Sequence, residues 1–344
     1  MTDQKLLKQL WKKLNKLPRV RLATLPTPVD ELTRLSQTLG GPHIFFKRDD
    51  LTGLAFGGNK TRMFEYVLGK VLKQTDHDCV IAGAAVQSNY CRQLSAACAK
   101  VGLPLYLVLR KVRPRDGQKL EGNYLLDTIL GAKIEIIEGG WPEQRKHIHQ
   151  VAAKLKKQGK NPYIARAAYD GDNWLNAAAY AHSFAEMIEQ VEAQGVRIDA
   201  LYMTSSDTTQ AGELVAWKFL QCKFPVYGID TVIFEGDSVQ TFVDIANELE
   251  SRLDLPTRVT RADVKTTGKF IGKAYGQPTP GGIEAIKLVA RTEGILCDPV
   301  YTGKGLAALI ADVRGGKWTK NQNIIFLHTG GAPALFAYAD SLEL

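Results

Sequence analysis

Short β-rich runs alternate with helix-length stretches along most of the 344 residues, and this alternation constrains the fold more than any other feature of the chain. Strands are predicted at His43–Lys47, Cys79–Ala84, Leu105–Leu109, Lys133–Ile137, Pro162–Ala165, Ala200–Thr204, Val226–Asp230 and Ile324–Leu327. Helices are predicted at Thr61–Gln74, Asn89–Val101, 119–130, 143–158, 174–194, Gln210–Gln221, 238–252 and 281–293. Strands that alternate with helices pair in parallel, and the crossover helices cover both faces of the sheet. The expected class is therefore α/β. A chain this long can bury two cores, so two domains are expected. No internal repeat or low-complexity linker marks a boundary.

Composition excludes several functions. No apolar run is long enough to span a bilayer. The net charge of +8 is spread among 36 acidic residues, without a basic stripe interleaved with aromatics. It reads as a basic surface that attracts small anions, not as a nucleic-acid site. Five cysteines (79, 91, 98, 222 and 297) form no C-x-x-C pair. They imply a reducing, cytoplasmic setting and neither a disulfide framework nor a metal site. Cys91 and Cys98 lie a heptad apart on a predicted helix, as small core residues do. His147 and His149 are the one close histidine pair and read as surface. The amino terminus lacks a signal-peptide pattern. Leu6, Leu7, Leu10, Leu14 and Leu17 recur at helical spacing, which predicts a docking helix.

In open parallel sheets, ligands bind beyond the carboxyl ends of the strands, where helix amino termini present unpaired N–H groups. Three such junctions stand out. Gly83–Tyr90 carries Ser88 and Asn89 in the N-cap region, and these side chains either cap a helix or cradle a carboxylate. Thr204–Gly212 places five hydroxyls at a helix start, a natural phosphate cup or a Ser/Thr-rich turn. Asp207 opposes the first reading, because a carboxylate repels a phosphate unless it points away. His328–Pro333 contains Gly330 and Gly331, which permit close backbone approach. Neither a Walker A loop nor the dinucleotide fingerprint G-x-G-x-x-G is present.

A fourth feature is Gly57-Gly58-Asn59-Lys60-Thr61-Arg62, just after Lys47-Arg48-Asp49-Asp50. A lysine amine whose pKa is lowered by its surroundings can form a Schiff base with an aldehyde cofactor. Paired glycines let the backbone approach a flat ligand. The bland alternative is a Gly-Gly turn ahead of a helix.

Taken in order, these segments resemble the pyridoxal-phosphate enzymes of the tryptophan synthase β type. Within that group they are similar to the 1-aminocyclopropane-1-carboxylate deaminase and D-cysteine desulfhydrase family. The resemblance runs through Leu25–Pro28, Lys47–Gly53, Gly57–Arg62, Gln87–Asn89, Thr209–Gly212, Tyr275-Gly276, Glu284–Ile286, Asp298–Tyr301 and His328–Gly331. It implies two domains with twisted parallel sheets flanked by helices, the type II fold of these enzymes. Residues 1–62 and 175–344 would form the large cofactor-binding domain and residues 63–174 the small one. It also implies pyridoxal 5'-phosphate as cofactor, a small amino-acid substrate and a cytoplasmic homodimer.

The resemblance assigns roles residue by residue. Lys60 would carry the cofactor and shuttle a proton. Asn59 and Asn89 would hold the cofactor, with Asn89 at its ring hydroxyl. Ser88, Asn89 and Tyr90 would bind the substrate, and Ser88 would assist proton transfer. Ser206, Asp207, Thr208 and Thr209 would bind the phosphate. Tyr275 and Tyr301 would act as acid–base or nucleophilic groups. Thr302, Thr329 and Gly330 would complete the cofactor site, with Thr302 facing the pyridine nitrogen.

In the cyclopropane deaminases a Glu follows the second tyrosine and a Leu follows the histidine of the last glycine motif. Here the two positions are Thr302 and Thr329, as in the desulfhydrase branch. The implied reaction is elimination and deamination of D-cysteine to pyruvate, sulfide and ammonia. Cyclopropane-carboxylate deamination is the alternative within enzymes, and a cofactor-binding protein without turnover is the alternative outside them. Asp207, Tyr90 and Ala165–Gly171 depart from the family pattern. These departures would fit a subfamily that takes another β-substituted amino acid.

Overall fold

The computed structural model describes residues 2–166, 172–204, 208–233 and 236–342. Two sheets frame the protein. The larger runs in the order β1 (Val29–Glu31), β2 (His43–Lys47), β10 (Asn323–Leu327), β7 (Ala200–Thr204), β8 (Val226–Ile229) and β9 (Lys265–Thr267). β1 is antiparallel to β2, and the other pairings are parallel. The smaller sheet, in the order β5 (Lys133–Ile137), β4 (Leu105–Arg110), β3 (Cys79–Ala85) and β6 (Pro162–Arg166), is parallel throughout. The strands predicted from alternation all form, and the α/β class with helix-flanked parallel sheets holds.

The long helices are α1 (Gln4–Leu14), α3 (Lys60–Gln74), α4 (Asn89–Val101), α6 (Trp141–Lys157), α7 (Asn173–Ala193), α8 (Thr208–Phe219), α9 (Ser238–Arg252), α10 (Pro280–Glu293) and α11 (Thr302–Arg314). Shorter ones are α2 (Thr33–Leu39), α5 (Gly122–Ile129) and α12 (Ala334–Ala337). The leucine-spaced amino terminus forms α1. It is capped by Asp3, which accepts from the Lys5 N–H at 2.8 Å. Leu7, Leu10 and Leu14 are buried in the apolar core that also holds Ala177, Phe184 and Leu201. Burying each such leucine is worth about 2 kcal/mol. α7 divides the two cores: Ala177 and Ala178 belong to one, Ala179 and Tyr180 to the other. Its small side chains admit α8 closely. A Cβ on Gly212 of α8 would lie 2.0 Å from the Ala177 carbonyl oxygen, which explains the glycine of Thr209-Gln210-Ala211-Gly212.

The Lys47–Asp50 segment is largely structural. Lys47 Nζ donates to Glu186 Oε1 (2.5 Å) and to the Thr27 carbonyl (2.7 Å), wholly buried. Arg62 Nε donates to Asp49 Oδ2 and Arg62 Nη2 to Glu186 Oε1, both at 2.8 Å. Burial pushes the Glu186 carboxyl up, but Arg62 and Lys47 outweigh it and bring its pKa down to about 2. This buried network fixes α3, with Lys60 at its start, to β2 and α7. Removing one partner of such a network leaves an uncompensated charge and costs about 3–5 kcal/mol.

Four elements lay outside the sequence reading. β1 and β9 have three residues each, too few to show alternation. α2 is a short helix of seven residues. α11 was not among the predicted helices, and its first turns carry Gly303 and Gly305. Both are packing glycines: a Cβ on Gly303 would lie 2.9 Å from the Asp298 carbonyl oxygen, and one on Gly305 would lie 2.5 Å from Thr204 Cγ2.

Candidate active site

The carboxyl ends of strands from both sheets converge on one cleft that opens to solvent. It is lined by Ala84, Ala85, Ser88, Asn89 and Tyr90 beyond β3, and by Trp141 beyond β5. Thr204 and Thr209 come from the β7–α8 junction, and Val232 from beyond β8. Thr329 and Gly330 lie beyond β10, and Asn59, Lys60, Tyr275 and Tyr301 complete the wall. All three junctions singled out in the sequence therefore meet at one place.

Lys60 opens α3, with its Nζ 5.6 Å from the ring centroid of the buried Tyr180. The loop before it needs glycine. Gly57 has φ 67°, and a Cβ there would lie 1.9 Å from the Asp50 carbonyl oxygen. A Cβ on Gly330 would lie 2.8 Å from the Gly58 Cα, so the two glycine loops press directly together. The Asn59 N–H donates to the Thr329 carbonyl at 3.1 Å and locks this contact.

Ser88 is the N-cap of α4, and its Oγ accepts from the Cys91 N–H at 3.2 Å. It thus caps the helix and also faces the cleft. Asn89 Oδ1 accepts from Asn123 Nδ2 at 2.8 Å. Tyr90 lines the cleft, but its ring packs edge-on against Phe64, and its hydroxyl lies 3.5 Å from the Ala165 carbonyl. Thr208 and Thr209 start α8, whose first N–H groups have no intrahelical partner. Ser206 and Asp207 lie outside the described residues, as does 167–171 of the departing segment.

Two phenols share the cleft wall with Lys60. The hydroxyls of Tyr275 and Tyr301 are 2.7 Å apart, and the rings meet edge to face with centroids 6.0 Å apart. Both pack against Val300, Ala334, Ala337 and Tyr338. The Tyr338 hydroxyl donates to the Gly276 carbonyl at 2.9 Å, and the Arg113 guanidinium lies 3.7 Å from the Tyr338 ring centroid. The carboxyl-terminal segment therefore holds the turn that carries Tyr275.

His328 behind the glycines is a buried structural group. Its Nδ1 accepts from the Gly330 N–H at 3.2 Å, and its Nε2 lies 3.2 Å from the Leu296 carbonyl. This pattern requires the neutral ring, and burial pulls its pKa below the usual value.

A family model described as pyridoxal-phosphate dependent enzyme matches residues 20–330. The chain belongs to this pyridoxal-phosphate enzyme family. A solved structure described as an ACC deaminase homologue has a TM-score of 0.87 and 32% identity, covering 97% of this chain and 98% of its own. Diaminopropionate ammonia lyase from Escherichia coli, solved in apo form, has a TM-score of 0.69 and 14% identity, with coverages of 100% and 93%. The processed form of threonine deaminase isoform 2 from Solanum lycopersicum has a TM-score of 0.65 and 17% identity, with coverages of 99% and 88%. The last two are likenesses of fold alone.

The cofactor of this pyridoxal-phosphate enzyme is pyridoxal 5'-phosphate. The cleft fits the group. It offers an amine at Lys60, two helix amino termini for anions, an amide at Asn89, and a glycine wall that a Cβ would close.

Thr302, which the resemblance sets at the pyridine nitrogen, has its hydroxyl engaged by Asp298. It is fully buried and absent from the cleft wall. Its Oγ1 accepts from the Asp298 N–H at 2.7 Å and donates to Asp298 Oδ1 at 2.8 Å. The hydroxyl is spent on the turn that starts α11. Thr329 and Thr204 do face the cleft, with their Oγ1 atoms 3.4 Å apart.

Trp141 was missed, although it follows the β5 carboxyl end and the strand-to-helix rule could have found it. Its ring centroid lies 4.6 Å from the Arg110 guanidinium, which also lies 5.9 Å from that of Tyr275. His147 pairs with Glu135 at 2.6 Å, away from the cleft.

Proposed function

We propose that the protein is a lyase that eliminates and deaminates a small β-substituted amino acid, with D-cysteine as substrate and pyruvate, sulfide and ammonia as products. Water is consumed, so the atoms balance. The supporting observation is the chemistry of the cleft wall. Among the described residues no carboxylate lines it, and the uncharged hydroxyls of Thr204 and Thr329 stand there instead. Uncharged donors suit departure of a good leaving group such as a thiol better than the opening of an unactivated ring.

Bound in the cleft, pyridoxal phosphate supplies an electron sink for the bond broken at the substrate α-carbon. In this reading Lys60 holds the cofactor and takes the α-proton. Ser88 and the first N–H groups of α4 orient the substrate carboxylate, and the start of α8, with Thr208 and Thr209, receives the phosphate. Asn59, Gly330 and Tyr90 shape the walls. The Tyr275–Tyr301 pair delivers a proton to the departing sulfur. Thr329 replaces Thr302 as the candidate partner of the ring nitrogen.

The small sheet is built entirely from residues 79–166, which supports a large domain of 1–62 with 175–344 and a small one of 63–174. Five free thiols support a cytoplasmic setting. Exposed Leu120, Ile129 and Phe336 are consistent with a homodimer, which sedimentation would test. The test of the reaction is kcat/KM for D-cysteine, by sulfide release, against kcat/KM for 1-aminocyclopropane-1-carboxylate, by 2-oxobutanoate formation. Preference for D-cysteine is expected. Preference for the cyclopropane substrate would overturn the hydroxyl argument.

A further inference from the structure

Two wholly buried polar side chains, Arg92 and Asn123, form a chain of hydrogen bonds that ends on the half-buried Asn89 at the cleft, and each link has only one possible direction. Arg92 on α4 and Asn123 on α5 are both wholly inaccessible to solvent. A guanidinium has donors only. Arg92 Nε donates to Asn123 Oδ1 at 2.9 Å, so the oxygen end of that amide must face Arg92. The nitrogen end must then face the other way. There Asn123 Nδ2 donates to the Gln87 carbonyl at 3.0 Å and to Asn89 Oδ1 at 2.8 Å. A backbone carbonyl accepts only, so a second anchor fixes the same orientation. Amide orientation is ordinarily ambiguous, but a cation at one end and a carbonyl at the other remove the ambiguity here. The oxygen of Asn89 is thereby held inside the protein, and its Nδ2 donors are left for the cleft.

The same guanidinium has two further links. Its Nη1 donates to the Ala55 carbonyl, and its Nη2 to the Gly57 carbonyl at 3.0 Å. Ala55 and Phe56 have φ of 43° and 67°, which non-glycine residues seldom adopt. Strained backbone of this kind persists only where its surroundings over-determine it. This loop leads into Lys60.

We infer that Arg92 and Asn123 are positioning residues that make Asn89 an obligate hydrogen-bond donor toward the cofactor's ring oxygen, while the same guanidinium braces the loop that presents Lys60. The inference rests on the reading that the cofactor ring lies against Asn89. A donor at that point favours the ionised ring oxygen, and an acceptor would repel it. Burial lowers the Arg92 pKa to about 10, and the group is still a cation at neutral pH.

The test is a double-mutant cycle read by pyridoxal-phosphate affinity in absorbance titrations, with thermal unfolding of the apo protein as the control for folding. Asn123→Asp keeps the size of the side chain and pairs with Arg92, but an ionised carboxylate cannot donate. Asn89 then turns its Nδ2 inward and shows its oxygen to the cleft. Affinity is expected to fall by about tenfold or more, with a shifted visible band and little change in apo unfolding. Asn89→Ala should weaken binding as well, and adding Asn123→Asp to it should cost nothing further. Asn123→Leu is the second variant: it leaves Asn89 free to rotate and should give a smaller loss that also vanishes in the Asn89→Ala background. Equal losses with and without Asn89, or unchanged affinity in Asn123→Asp, would overturn the relay while leaving the cleft assignment intact. Unchanged affinity in Asn89→Ala would instead overturn the placement of the ring against Asn89, and the relay with it.

Discussion

The two phenols provide the sharpest mutational test of the proposed chemistry. Their hydroxyls are 2.7 Å apart, so removing either leaves the other without this partner. Tyr275→Phe and Tyr301→Phe keep both rings and their packing against Tyr338. Losing one half-buried hydrogen bond costs about 1 kcal/mol of stability, so each variant should stay folded and retain its cofactor. If the pair moves one proton at the leaving group, either substitution removes that function, and kcat should fall roughly 100- to 10,000-fold. That fall corresponds to about 3–5 kcal/mol of transition-state stabilisation. The double variant should then be hardly worse than the poorer single variant, because the two residues act as one unit. Independent contributions would instead multiply. The assay is sulfide release from D-cysteine at saturation, with the visible cofactor band recorded for each protein. Multiplicative losses, or near-normal kcat in either single variant, would refute the shared-proton argument.

Other expectations follow from particular contacts. Thr302→Val removes both bonds to Asp298 and should cost about 1–3 kcal/mol in denaturant unfolding without moving the visible band, whereas Thr329→Val should move the band. Tyr338→Phe deletes the donor to the Gly276 carbonyl and should lower kcat while the cofactor remains bound, as titration and steady-state rates would show. His182 Nε2 sits 2.8 Å from Arg19 Nη1, a donor, so the ring must be neutral; burial, aided by Arg19, lowers its pKa from 6.5 to about 3. A depressed histidine pKa stabilises the fold above the unfolded value and loses that contribution as pH falls toward the folded value. Thermal stability should therefore begin to drop below about pH 6.5, before the carboxylates titrate, and His182→Phe should flatten that limb.

The strands and most helices were legible because buried parallel strands read as short apolar runs and helices as periodic ones. α11 was not predicted, and its Gly303 and Gly305 serve packing: they let the helix approach its neighbours. Much of the cleft was legible because strand ends and helix starts must meet there: Ser88, Asn89 and Thr329 lie at junctions picked out on that logic, while Lys60 was singled out by its paired glycines and amine chemistry. The bonds of Thr302 were not legible, because sequence order cannot say which way a helix-start side chain turns; in the fold its hydroxyl bonds the buried Asp298. Arg92 and Asn123 went unseen for a similar reason. Each is an ordinary polar residue on a helix until the fold sets one against the other.

The central claim is that Lys60 carries the cofactor. The most direct measurement is borohydride reduction of the purified, pyridoxal-phosphate-loaded protein, followed by peptide mapping of the pyridoxyl label, with Lys60→Ala as the companion variant. The visible band should vanish on reduction, the label should sit on Lys60, and Lys60→Ala should bind pyridoxal phosphate without retaining a label. A label on another lysine, or none on a protein that binds the cofactor, would contradict the account.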